Sequence, residues 1–164
     1  MSNNQIVTPF KAPDHLHSHC LESALSKAES GCARKGVRLT DIRRRVLELV
    51  WDKHEPVKAY DILEILQGEM KRAVPPTVYR ALDFLQQEGY VHKIKSLNAY
   101  IGCGEPGHNN TAQFLICSEC GVVAEMDDPE IGGMIEAKAN QLGFSIKHQT
   151  IEVQGLCAAC SSGK

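Results

Sequence analysis

Apolar residues recur at three- and four-residue spacing through the first half of the chain and alternate with polar ones through much of the second. From about Leu16 to Lys35 the spacing predicts a helix that stops at Gly36. "LTDIRRRVLELVWDK" predicts a second, with Thr40 as its N-cap and Ile42, Val46, Leu49 and Val50 along one stripe. "AYDILEILQGEMKR" predicts a third, with Ala59, Ile62, Leu63, Leu66 and Met70 facing inward. "VPPTVYRALDFLQQEG" predicts a fourth that Pro75-Pro76 opens and Gly89 closes. Its inner face is Val78, Ala81, Leu82 and Leu85; Thr77, Arg80, Asp83 and Gln87 fall on another. "YVHKIK" and "AYIGC" alternate as strands about a turn at Ser96-Leu97-Asn98. Helices followed by a hairpin describe a winged helix-turn-helix.

Residues 102–111, "GCGEPGHNNT", hold three glycines and a proline and read as a hinge. Beyond it, "AQFLIC" and "GVVAEM" are strand-like, "PEIGGMIEAKANQLG" is a helix weakened by Gly132-Gly133, and "FSIKHQTIEVQG" is a strand. The expected organisation is α+β: a polar, mobile arm over residues 1–15, a winged-helix domain over 16–101, the hinge, and a β-β-α-β domain over 112–164.

Two Cys-x-x-Cys pairs, Cys117/Cys120 and Cys157/Cys160, carry the plainest chemistry. Four thiolates paired at this spacing suit one tetrahedral Zn²⁺ at about 2.3 Å from each sulfur, in a closed structural site. Seven cysteines in a chain without an export signal point to the reducing cytoplasm and to metal ligands rather than disulfides. No apolar run approaches the ~18 residues of a membrane span.

The formal net charge of −2 hides an asymmetry. Residues 34–95 are net +4 and residues 96–164 net −5, so the two halves are expected to meet different partners. The helix from Pro75-Pro76 is the candidate recognition helix, with Thr77, Tyr79 and Arg80 near its N-terminus, where base edges and phosphates are reached. One or two of Arg43, Arg44 and Arg45 can meet phosphate, and Tyr60 is a further possible contact; solvated helix surface and core packing are the competing readings. A second metal set is suggested by His92, Cys103, His108 and Glu125, although their spacing alone is weak evidence. A thiolate among the ligands favours zinc over manganese or magnesium. His15, His17 and His19 are read as a solvated arm, Cys20 and Cys32 as partly buried thiols, and His54 is unassigned. His148, near the second Cys pair, is a reserve ligand.

"RLTDIRRRVLELV", "AYDILEIL", "PPTVYRALDFLQQEGYVHKI", "QFLICSECGVVAE" and "GLCAAC" together resemble the ferric uptake regulator family, most closely its zinc uptake regulator branch, over roughly residues 20–160. The resemblance implies a winged helix, a C-terminal α/β dimerisation domain, and a homodimer that binds near-palindromic double-stranded operator DNA when zinc-loaded. It places a structural Zn²⁺ on Cys117, Cys120, Cys157 and Cys160 and a regulatory Zn²⁺ on His92, Cys103, His108 and Glu125, two per monomer. Relatives often carry a hinge histidine where this chain has Asn110, which leaves room for a water or a looser site. The implied activity is repression of zinc-uptake genes, with neither membrane nor small-molecule substrate. The alternative within the family is a redox-, peroxide- or iron-responsive repressor. An enzyme is not expected: no GxSxG or HExxH motif occurs, and paired Cys-x-x-Cys turns suit a closed site rather than a thiol oxidoreductase.

Overall fold

The computed structural model describes residues 6–10, 17–107 and 111–163. In chain order the elements are β1 (Ile6–Thr8), α1 (His17–Lys35), α2 (Asp41–Val50), α3 (Ala59–Glu69), α4 (Pro75–Gln87), β2 (Val91–Ile94), β3 (Ala99–Gly102), β4 (Thr111–Cys117), β5 (Val123–Met126), α5 (Pro129–Gln141), β6 (Gln149–Gly155) and α6 (Ala158–Ser161). They divide into two compact units, Lys11–Gly107 and Met1–Phe10 with His108–Lys164.

The unit Lys11–Gly107 is four helices and the hairpin β2–β3, a winged helix-turn-helix. Thr40 caps α2, its side chain accepting from the Arg43 N–H, and the stripe below it buries Val46, Leu47, Leu49 and Val50. These meet Ile62 and Leu66 of α3 and Val78, Leu82 and Leu85 of α4 in one core. Each such aliphatic side chain removed from water contributes about 2 kcal/mol before conformational entropy is set against it. Pro75 stands in the first turn of α4, where its missing N–H costs nothing. Past Gln87 the chain turns through Gly89 at φ 80°, and the Tyr90 N–H returns to the Leu85 carbonyl at 2.8 Å. The hairpin turns at Asn98, whose φ of 47° suits its short polar side chain. Val57 and Tyr100 exchange two backbone hydrogen bonds of 2.8 Å, which seat the wing against the segment before α3.

One position departs from the predicted stripe. α3 ends at Glu69, Met70 takes an extended conformation, and its side chain is exposed rather than inward. The backbone has to leave the helix there to reach the start of α4.

The other unit is a four-stranded sheet in the order β1-β5-β4-β6, with α5 in the connection from β5 to β6. β5 runs antiparallel to both β1 and β4, while β4 and β6 are parallel, from Thr111 opposite Gln149 to Cys117 opposite Gly155. Asp128 caps α5 by accepting from the Glu130 N–H at 2.8 Å. Gly132 faces Thr111 and Gln149, where a Cβ would make only ordinary van der Waals contacts of 3.6 and 3.9 Å. β6 begins at Gln149, five residues later than the alternation suggests. Part of the segment expected to be a mobile arm forms β1 instead, because the outer edge of β5 offers it unpaired backbone groups.

Gly102 ends β3 beneath the indole of Trp51, where a Cβ would come within 2.2 Å of the ring. Gly102→Ala is therefore expected to push the ring aside at a cost of about 1–3 kcal/mol. Trp51 is the only tryptophan in the chain, so urea unfolding followed by its fluorescence reads both effects: a lower midpoint and a red-shifted native spectrum. An unchanged spectrum and midpoint would show that the contact is not tight.

Candidate metal centres and nucleic-acid face

Cys117 ends β4 and Cys157 lies two residues beyond β6, so the parallel pairing of these strands delivers both Cys-x-x-Cys turns to one end of the sheet. The first turn closes through Gly121 at φ 76°, with Gly121 N–H to Cys117 carbonyl at 3.0 Å. A second bond, Ser118 N–H to Gly155 carbonyl at 2.8 Å, stitches the first turn to the end of β6. All four sulfurs lie within 4.8 Å of one another, and Cys120 Sγ is 3.8 Å from Cys157 Sγ. A tetrahedron with bonds of about 2.3 Å has edges of about 3.8 Å, so the donor set and its spacing fit Zn²⁺. The Cys157 N–H points at Cys117 Sγ from 3.4 Å, the contact that a metal-bound thiolate accepts. His148 stands apart from this group, its Nε2 3.0 Å from Thr150 Oγ1.

The second predicted set is distributed between the units. His92 lies on β2 opposite Ile101, and Cys103 directly follows β3, its N–H bonded to the Tyr90 carbonyl at 2.9 Å. This antiparallel register brings an imidazole nitrogen of His92 and Sγ of Cys103 within 4.8 Å of each other. Glu125 is buried on β5, opposite Phe114 on β4 and Thr8 on β1. His108, Asn110 and His15 lie outside the described residues. Of the remaining thiols and histidines, Cys32 is buried with Sγ 3.9 Å from the Tyr90 hydroxyl, Cys20 packs at the core margin, and His19 is exposed. His54 meets Trp51 edge-on at 6.1 Å.

On α4, Tyr79 and Arg80 are exposed and Thr77 is half-buried, while Tyr60 at the start of α3 is 73% exposed. Arg80 has no partner among the described residues. The three arginines of α2 are engaged inside the unit. Arg43 stacks on the Phe84 ring at 3.6 Å and donates to the Arg38 carbonyl. Arg44 pairs with Glu29 and Glu48. Arg45 grips Glu69 with two nitrogens, at 2.9 and 2.6 Å, and Glu48 with a third at 2.9 Å. Consecutive positions on a helix point in different directions, and here each direction meets a partner on α1, α3 or α4. This network was not visible in the sequence, because Glu69 and Arg45 are 24 residues apart.

The four clustered thiols do not share one acidity. Backbone N–H groups of Cys120 and then Cys157 hold the Cys117 thiol down to about 6. Cys160, facing the Cys157 and Cys120 sulfurs, is pushed up to about 12. Near neutrality Cys117 is thus already a thiolate while Cys160 keeps its proton, which a metal ion must displace. Zinc affinity of the metal-free protein is therefore expected to rise with pH between about 6.5 and 8.5, by at least about one log unit per pH unit. Competition titrations with a chromophoric chelator measure that slope; a flat profile would show that no proton leaves Cys160.

The ferric uptake regulator family pattern matches residues 34–154. The zinc uptake regulation protein of Escherichia coli (strain K12) is 42% identical over 142 residues, which cover 85% of this chain and 82% of that protein. A zinc uptake regulator solved in complex with zinc and DNA is 41% identical and superposes with a TM-score of 0.80, over 87% of this chain and 95% of its own. The holo form of XcZur, at 43% identity, also superposes at 0.80, over 86% and 99% of the two chains. The family match runs from the end of α1 through the winged helix and the sheet to Gln154, and this chain belongs to the ferric uptake regulator family.

Proposed function

We propose that the chain is a zinc-responsive transcriptional repressor: a cytoplasmic homodimer that, when zinc-loaded, binds a near-palindromic operator and represses zinc-uptake genes. The observation that carries this reading is the His92–Cys103 pair on the wing, directly after the recognition helix. Imidazole and thiolate side by side select zinc over the harder iron and manganese ions, which separates this reading from an iron- or peroxide-responsive one. The likeness to zinc uptake regulators, one of them solved with zinc and DNA, supports it.

Two zinc ions per monomer are assigned. Cys117, Cys120, Cys157 and Cys160 hold the structural one, which would cross-link the ends of β4 and β6. His92, Cys103 and Glu125, with His108 or a water in the fourth position, are the regulatory ligands. Because these residues come from both units, occupancy would restrict the freedom of one relative to the other. Two α4 helices then meet successive major grooves at lower entropic cost, with Thr77, Tyr79 and Arg80 at the bases and Tyr60 at the backbone. A coupling of about 3 kcal/mol corresponds to about 150-fold in operator affinity. Dimerisation is supported by the sheet unit, where Met134, Leu142, Phe144, Val153 and Leu156 stand exposed and β6 has, among the described residues, a strand neighbour on one side only. Among the described residues no helix is long and apolar enough to cross a membrane.

Elemental analysis before and after mild chelation, with binding to a duplex selected from a random pool by the zinc-loaded protein, tests the reading. Two zincs per chain should fall to one, with DNA affinity lost and the dimer intact. Cys103→Ser should bind one zinc, stay dimeric and lose zinc-dependent DNA binding by about 100-fold. One chelator-resistant zinc with unchanged DNA binding would make zinc purely structural and overturn the regulatory assignment.

A further inference from the structure

All three arginines of α2 have partners inside the unit, so the further candidates for phosphate contact are cations that have none. The turn from α3 to α4 offers them. The Ala73 N–H donates to the Met70 carbonyl at 2.9 Å, which closes a four-residue turn with Lys71 and Arg72 at its two central positions. Gln67, one turn back on α3, donates from Nε2 to the Ala73 carbonyl at 3.2 Å, and the buried Ala73 side chain anchors the turn from below. Neither central residue needs a positive φ, so the turn is built without glycine and keeps its shape. Lys71 and Arg72 are both exposed and have no partner among the described residues. Glu69 is the carboxylate nearest to them in sequence. It is not free to neutralise them, because Arg45 already occupies both of its oxygens. The turn leads through Val74, the N-cap, into the N-terminal end of α4, where a recognition helix meets the groove and the flanking phosphates.

We propose that Lys71 and Arg72 form a phosphate clamp for duplex DNA at the head of the recognition helix. They supply affinity and register without reading sequence, and Gln67 and Arg45 keep the clamp positioned and unneutralised. Most hydrogen bonds in protein–DNA complexes go to phosphate and sugar, and this turn provides donors that no carboxylate among the described residues occupies. The inference rests on α4 being the recognition helix of a DNA-binding protein.

Its test is the salt dependence of binding by the zinc-loaded, full-length protein, on the selected duplex and on an unrelated duplex of equal length. The K71A/R72A variant should shrink the slope of log affinity against log salt by about 1.8 per bound protomer, about 0.9 for each lost phosphate contact. It should weaken both duplexes by the same factor and leave zinc dependence and the melting temperature unchanged. K71R/R72K keeps both charges and should keep the slope. An unchanged slope in K71A/R72A, or a loss confined to the selected duplex, would overturn the clamp while leaving α4 as the reader. A wild-type protein that selects no duplex with zinc bound would instead overturn the reading of α4, and the clamp with it.

Discussion

The parallel pairing of β4 with β6 is the constraint on which the sheet unit depends. An antiparallel partner would carry Cys157 to the far end of β4; a parallel one needs a long crossover, supplied by α5, and returns it beside Cys117. Seven register pairs, from Thr111 opposite Gln149 to Cys117 opposite Gly155, set the spacing of the four thiols. The unit has few large buried side chains, chiefly Phe114 and Ile116 on β4 with Val123 on β5, and leaves Phe144, Val153 and Leu156 in solvent. So small a core holds a sheet together only with help from a metal or a second copy of the chain.

The winged-helix unit is held in a different way. Its core runs from Ala24 on α1 to Tyr100 on the wing, and α4 is anchored in it through its own Val78, Leu82 and Leu85. Charge is added around that core as a lattice rather than as free surface. Arg43 lies on Phe84, Arg44 reaches Glu29, and Arg45 reaches Glu69, so α2 is tied in turn to α4, α1 and α3. Exposed ion pairs of this kind are each worth little. Their larger effect is to decide which cations remain available, and on α4 and the turn before it those are Arg80, Lys71 and Arg72.

Acidity in the cysteine cluster follows from the same geometry. Backbone N–H groups converge on Cys117 and favour its thiolate, whereas Cys160 faces sulfurs that disfavour a further negative charge. A cluster so poised starts with one ready ligand and gains the others by proton release.

Local pattern was enough for the order of elements from α1 to β6, for Thr40 as a cap, for the hairpin turn at Asn98 and for the pairing of cysteines in turns. Each depends on residues within a few positions of one another, where periodicity and turn chemistry act directly. The His92–Cys103 pair was legible too, but only as a suggestion, since its geometry comes from the hairpin register. Met70 was misplaced because a helical stripe does not say where the backbone must leave for the next element. The pairing of β1 with β5, and of Arg45 with Glu69, joins residues far apart in the chain. No local pattern encodes which edge a polar segment will cover or which carboxylate an arginine will find. Composition and spacing determined that this chain has a winged helix, a sheet and thiols fit for zinc. Only the packed structure decided which charges are spent internally and which remain for a partner, because that depends on distances that sequence separation does not measure.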